Sequence, residues 1–308
     1  MRALGLALAL SVMLWTGSAL ADAITRGREI TAANTGPKAA GYETLKPVIG
    51  GEIKDGQTYS FAREIRSSAI YDGFEVKGPH LLIEGVLFSA PLDISISKPV
   101  VFRGVAVQVP AGSPWTILVR PGAGPFYFLW SYAGGGMLEA GKAPGSGLQL
   151  RGDGAKVFRS RITYVADGIG ISGADIAIAE TLIDGLATFP GSHNDGIQLA
   201  ETAANVTIVR NKIHNPNPQT SCIYVLGHDI TIAANHLAGG GWTLYGGAKS
   251  PSHGNESASH VSVTGNAFGR DYFAKSGHFG PVSYWDKSSG LGNIWTGNNF
   301  DDGKPVTP

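Results

Sequence analysis

Val206-Thr207-Ile208-Val209-Arg210-Asn211-Lys212-Ile213 is the stretch that decides the fold. Two apolar residues alternate, two spacers follow, then an amide, one more spacer and another apolar residue. Alternation at period two marks a half-buried strand. An asparagine just after it suits a tight bend, because its short amide bonds nearby backbone. The same phrase returns as Ile230-Thr231-Ile232-Ala233-Ala234-Asn235-His236-Leu237 and as Val261-Ser262-Val263-Thr264-Gly265-Asn266-Ala267-Phe268. A looser copy runs from Asn293 to Phe300. Its four asparagines, 211, 235, 266 and 298, lie 24, 31 and 32 residues apart. Thr181 and Ser160 fill the same slot earlier, and stacked amides of neighbouring copies are placed to bond one another.

A second ladder is interleaved with the first. Its rungs are short apolar-x-apolar strands beginning at Phe74, Ile94, Ile117, Leu148, Ile169, Ile197 and Ile223, with less regular rungs at Leu244 and Tyr284. Two ladders with variable steps describe a solenoid in which short strands stack in parallel from coil to coil, with insertions confined to turns. With 44 glycines, 3 methionines and 16% charged residues in 308, the composition also suits an all-β chain rich in turns.

This pattern resembles the right-handed parallel β-helix of the pectin-lyase-like superfamily. The resemblance covers about residues 70–300 and implies an all-β, single-stranded right-handed parallel β-helix with an N-terminal cap. The expected organisation is a signal peptide over 1–21, a cap over 22–70 with a short helix around 59–68, the helix proper over 71–300 and a loose tail over 301–308. The leader is read from Arg2, the apolar run from Ala3 to Trp15, and the small-x-small site Ala19-Leu20-Ala21. It implies a secreted or periplasmic protein with no membrane span after cleavage. A formal net charge of zero gives no electrostatic footprint for nucleic acid. Cys222 is the sole cysteine, so no intrachain disulfide exists, and a buried, inert thiol is expected.

The residue between the two apolar positions of each second-ladder rung points outward. That column reads Ser95, Leu118, Gln149, Gly170, Gln198, Tyr224, Tyr245 and Trp285. Outward aromatics in a shallow groove offer platforms for sugar rings. Long Gly-rich insertions flank these rungs. They bring Trp242, Lys249, His253 and Glu256 on one side, and Arg270, Asp271, Tyr272, Lys275 and His278 on the other. Asn255-Glu256-Ser257 is an N-glycosylation triplet.

The densest polar cluster is Ser192-His193-Asn194-Asp195-Gly196-Ile197-Gln198. It is similar to the Asn-Thr-Asp-Gly motif of polygalacturonase-type glycoside hydrolases, with Asp195 and Gly196 on the motif's Asp and Gly. The next rung, Thr220-Ser221-Cys222, keeps that family's Cys and lacks both acids. Gly240-Gly241-Trp242 lacks its His, and Val282-Ser283-Tyr284-Trp285 lacks its Arg-x-Lys. Asp167-Gly168-Ile169 repeats Asp195-Gly196-Ile197 one coil earlier, as Asp72-Gly73-Phe74 does near the start. Three readings stand for the stacked Asp167 and Asp195: a carboxyl pair sharing a proton, a Ca²⁺ site, or turn chemistry that starts each strand.

The resemblance implies a protein that handles a polysaccharide or oligosaccharide. The first expectation is a polysaccharide lyase on a uronate-containing polymer. His193, Asp195, Tyr224 and Asp167 are its candidate catalytic groups. Gln198, Asn194, Tyr245, Trp242, Lys249, Arg270 and Trp285 are its candidate substrate contacts, and Ca²⁺ is the one cofactor considered. The alternatives are a glycoside hydrolase with a displaced acid pair and a non-catalytic carbohydrate-binding or structural envelope solenoid.

Overall fold

The computed structural model describes residues 29–135, 142–250 and 256–308. The leader segment, His253 and Asn255 lie outside the described residues. Among the described residues the chain is all-β, with two short 3-10 turns at Pro37–Ala40 and Ser289–Leu291. No described helix is long and apolar enough to cross a membrane.

Three long sheets of ten, nine and ten strands among the described residues carry the architecture. Each coil gives one short strand to each sheet in turn, which is compatible with a parallel β-helix or solenoid. One full coil runs from Leu182–Asp184 in the first sheet to Ile197–Leu199 in the second and Ala204–Val209 in the third. The next coil repeats this with Lys212–Asn215, Ile223–Tyr224 and His228–Ala233. Pairing is parallel in register, so Ile197 lies on Ile169 and beneath Ile223. The exception is the first rung of the third sheet, where Ala62–Ile65 runs antiparallel to His80–Glu84.

Alternation places Ile169, Ile197, Ile223 and Leu244 in one core column, each fully buried. The third sheet aims Val206, Ile208, Ile230, Ile232, Val261 and Val263 at the same core. Burying each such side chain stabilises the coil by roughly 1.5–3 kcal/mol. Because strands of two to six residues are too short to hold alone, this shared core keeps each coil on its neighbours.

The asparagine ladder forms as its spacing predicts. Asn235 Oδ1 accepts from the Asn211 backbone N–H at 2.9 Å and from Asn211 Nδ2 at 3.0 Å. Asn266 does the same for Asn235, and Asn298 for Asn266. Each amide also donates to a strand carbonyl of the preceding coil, as Asn235 does to Ile208 at 2.9 Å. Thr181, Ser160 and Ser131 continue the ladder with hydroxyls. The left-handed backbone falls not on the ladder residue but on the one before it: Glu180 before Thr181, and Arg210, Ala234 and Gly265 before the asparagines, all have φ between 50° and 61°. The amide therefore acts through its bonds, and its neighbour makes the bend.

Five expectations about the ends and the rungs are corrected. Residues 59–68 hold no helix; Ala62–Ile65 is a strand, because four backbone positions pair with the edge of His80–Glu84. Phe74–Val76 is not a ladder rung. It forms a hairpin with Ala69–Tyr71 whose Val76 packs on the apolar outer side of the third sheet, against Leu82, Val101 and Tyr127. The Asp72-Gly73 pair is the tip of that hairpin, with Asp72 bonded to Arg103 and Trp130, so it is no copy of Asp195-Gly196. The second-sheet rung near residue 94 is Leu92–Ile94, which puts Asp93 rather than Ser95 in the outward column. Residues 301–308 are not loose: Val306 is buried, its N–H donates to the Asn298 carbonyl, and its carbonyl accepts from Trp295 Nε1.

Candidate functional site

The outer column of the second sheet follows its register: Asp93, Leu118, Gln149, Gly170, Gln198, Tyr224, Tyr245 and Ser283. Leu118 is buried, whereas Gln149, Gln198, Tyr224 and Tyr245 are half-buried between fully buried neighbours. Tyr224 and Tyr245 rings lie 5.4 Å apart, and Tyr284 stacks on Tyr245 at 5.7 Å with 29° between planes. The Tyr224–Tyr245 contact is the direct result of parallel registry, since equal positions in successive coils must neighbour one another, whereas Tyr284 reaches Tyr245 from the position after its register partner Ser283. Gly170 completes the column by leaving room, because a Cβ there would lie 2.7 Å from the Gln149 amide.

Beside the glutamines runs an open groove of about 540 Å³, lined by Gln149, Arg151, Gln198, Glu201 and Thr202. Arg151 and Glu201 are exposed. Burial, followed by the nearby Asp195 charge, pushes the Tyr224 hydroxyl up to about 12, and Tyr245 is raised for the same reasons. Tyr224 therefore keeps its proton at neutral pH and is suited to donate rather than to abstract.

The turn over residues 185–196 connects the first sheet to the second and carries the polar cluster. His193 is exposed at its tip, and Asp167 is half-buried below. Asp195 is enclosed, with 2% of its surface exposed. Its Oδ1 accepts from Ser221 Oγ at 2.5 Å, while its own N–H donates to Asp167 Oδ1 at 3.0 Å. Each aspartate thus ties its coil to the next. Burial raises Asp195 to about 7, helped by the Asp167 charge and opposed by the Ser221 bond. Asp167 is raised as well, by burial first. The glycines after them serve close packing: a Cβ on Gly168 would meet the Gly196 carbonyl oxygen at 2.2 Å, and one on Gly196 would meet that of Cys222 at 2.5 Å.

The candidate contacts separate into those on the open face and those that are not. Gln198, Tyr224 and Tyr245 share the column. Trp242, half-buried, lies beside the exposed Phe279 with rings 6.2 Å apart. Lys249 is exposed on the following loop, held through its N–H to Ser257 Oγ. Asn194 is not offered to a ligand. It is fully buried; its amide donates to the Ala166 and Ala187 carbonyls and accepts from Thr188 and Gln219, pinning the long turn to the coils. Trp285 lies outside the column, where register with Tyr245 places Ser283; its ring packs on the core, 5.3 Å from Trp295. Arg270 is engaged at the C-terminal segment, paired with Asp301 and Asp302 and stacked over Phe300. Cys222 is fully buried, with its thiol pushed up to about 12 by burial, which agrees with an inert role.

A second polar cluster escaped the sequence reading. His214 and His236 lie on the outer side of the first sheet, with His214 Nε2 3.0 Å from His236 Nδ1. Asp271 Oδ2 lies 3.8 Å from His236 Nε2, and Tyr272 Oη lies 3.3 Å from His214 Nδ1. The signal available was that His214 and His236 stand two and zero positions from the outward slots Lys212 and His236, which register with each other. Asp271 and Tyr272 come from a separate insertion, so only folding brings the four together.

Comparison with protein-family models, curated proteins and solved structures finds no match. The site must therefore be interpreted from its own chemistry.

Proposed function

We propose that this chain is an exported, single-stranded right-handed parallel β-helix whose second-sheet outer face binds an extended polysaccharide. The observation that carries the reading is the Tyr224–Tyr245–Tyr284 ladder running into the groove at Gln198 and Gln149. Stacked half-exposed rings accept the C–H faces of sugars, and flanking amides bond their hydroxyls. Exposed Arg151 and Lys249 at the margins of this face are suited to carboxylates, which favours an acidic glycan. The leader-like N-terminus supports action outside the cytoplasm, and right-handed winding follows the general preference of parallel crossovers.

Elimination on a uronate polymer is the second reading, favoured by an exposed His193 and a protonated Tyr224. A base at His193 would take the C5 proton while Tyr224 protonates the leaving oxygen. Hydrolysis by an Asp167–Asp195 pair draws no support from an enclosed Asp195, since an inverting pair must leave room for water between two accessible carboxyls.

The test is affinity electrophoresis against a panel of uronate and neutral polysaccharides, repeated with Tyr245→Ala and Tyr284→Ala. Retardation by an acidic glycan that weakens about tenfold in either variant is expected, a loss of about 1.4 kcal/mol. Equal retardation of both variants, or none for any polymer, refutes the glycan face. For a polymer that binds, ultraviolet-absorbing unsaturated ends lost in His193→Ala and Tyr224→Phe identify elimination.

A further inference from the structure

We propose that His214, His236 and Asp271 form a binding site for a borderline divalent transition ion of the Zn²⁺ type, on the first sheet and separate from the tyrosine ladder. One ring nitrogen of each histidine and one Asp271 carboxylate oxygen lie within 4.8 Å of one another. Two imidazoles and one carboxylate are a donor set that such ions favour, whereas Ca²⁺ and Mg²⁺ prefer oxygen throughout.

The scaffold supports the site from below. His214 projects outward from Lys212–Asn215 and His236 from His236–Gly239, while Ile213 and Leu237 between them are fully buried in the core. The two rings are thereby fixed one coil apart, each with under a tenth of its surface exposed. The facing nitrogens lie 3.0 Å apart, within hydrogen-bond reach. A tetrahedral ion with bonds of about 2.0–2.1 Å needs a separation of roughly 3.3 Å. A small ring rotation provides that, and the ring that carries a proton on its facing nitrogen passes to the other tautomer as the ion enters, so both histidines ligate as neutral imidazoles.

The remaining parts have the supporting roles that a metal centre needs. Tyr272 Oη, 3.3 Å from His214 Nδ1, fixes the ring nitrogen that faces away from His236. Metal-binding histidines are usually oriented by such a partner on the other nitrogen. Gly269 provides the space: a Cβ there would lie 2.4 Å from Asp271 Oδ2 and 2.7 Å from His236 Nε2. Asp271, with a side chain 41% exposed, forms the solvent wall, so an ion has a route in and an outer coordination position facing water.

The experiment titrates full-length, tag-free protein, stripped by a chelator, with Co²⁺ and then Zn²⁺. Visible cobalt absorption reports the ligands, and calorimetry reports stoichiometry and proton release. One ion per chain is expected, displaced by Zn²⁺ and not by Ca²⁺. Affinity should fall about tenfold or more in Asp271→Ala and vanish in His236→Gln. Should His236→Gln fail to fold, Asp271→Ala on the exposed insertion decides alone. No cobalt signal in the wild-type protein overturns the proposal. So does binding unchanged in Asp271→Ala, which would place the ion elsewhere.

Discussion

Ser221 donates its hydroxyl to Asp195 Oδ1 at 2.5 Å, and in doing so bonds a carboxyl that has almost no contact with water. Burial moves this acid from 3.8 to about 7. The native state therefore holds a proton that the unfolded chain releases near pH 4. The favourable contribution is complete below about pH 4, declines as pH rises toward 7, and stays lost above it. Three units correspond to about 4 kcal/mol as an order of magnitude. Urea unfolding across pH 4 to 8 should show this fall in the wild type. Asp195→Asn, which has no proton to lose, should flatten it; an unchanged slope would show that Asp195 does not titrate in this window.

Asn235 satisfies two donors of Asn211 and one carbonyl of Ile208 in the core bend. Asn235→Ala leaves these groups buried and unbonded, at about 1–3 kcal/mol each. A loss of about 4 kcal/mol or more in unfolding free energy is expected. Asn235→Ser should cost less, because a hydroxyl reaches the backbone N–H of the preceding coil, as Ser160 does for Ser131.

Cys222 is shut inside the coil with its thiol proton held to about 12. Thiol reagents should modify it only at the rate of global unfolding, and quickly in denaturant. Rapid modification of the native protein would contradict the burial.

Arg270 joins the insertion after Ala267–Phe268 to Asp301 and Asp302, which holds the Asp302 carboxyl well below the usual carboxylate range. Arg270→Ala should release the C-terminal segment and speed limited proteolysis within 300–308. Glycan retardation should be unaffected, because Arg270 takes no part in the tyrosine face.

Local pattern sufficed for the strands, their parallel stacking and the asparagine bends, because those depend on period-two alternation and on short-range amide bonding. It was enough even to align Gln149, Gln198, Tyr224 and Tyr245, since parallel register carries a position in one coil onto the same position in the next. It went astray at residues 59–68 and 74–76, where the partner strand or sheet face, not the segment itself, sets the conformation. Trp285 was misplaced because the rung is Gly280–Ser283, so pairing with Trp242–Tyr245 puts Ser283, two residues earlier, in the column.

What the sequence by itself determined is the repeating coil and one of its outer faces. Only the tertiary structure decided that Asp195 and Asn194 are enclosed while His193 is open, because burial depends on how the long turn folds over its own neighbours. It also decided the meeting of His214, His236, Asp271 and Tyr272. These residues are brought together by stacking two coils and laying an insertion from a third across them, and no spacing along the chain records that distance.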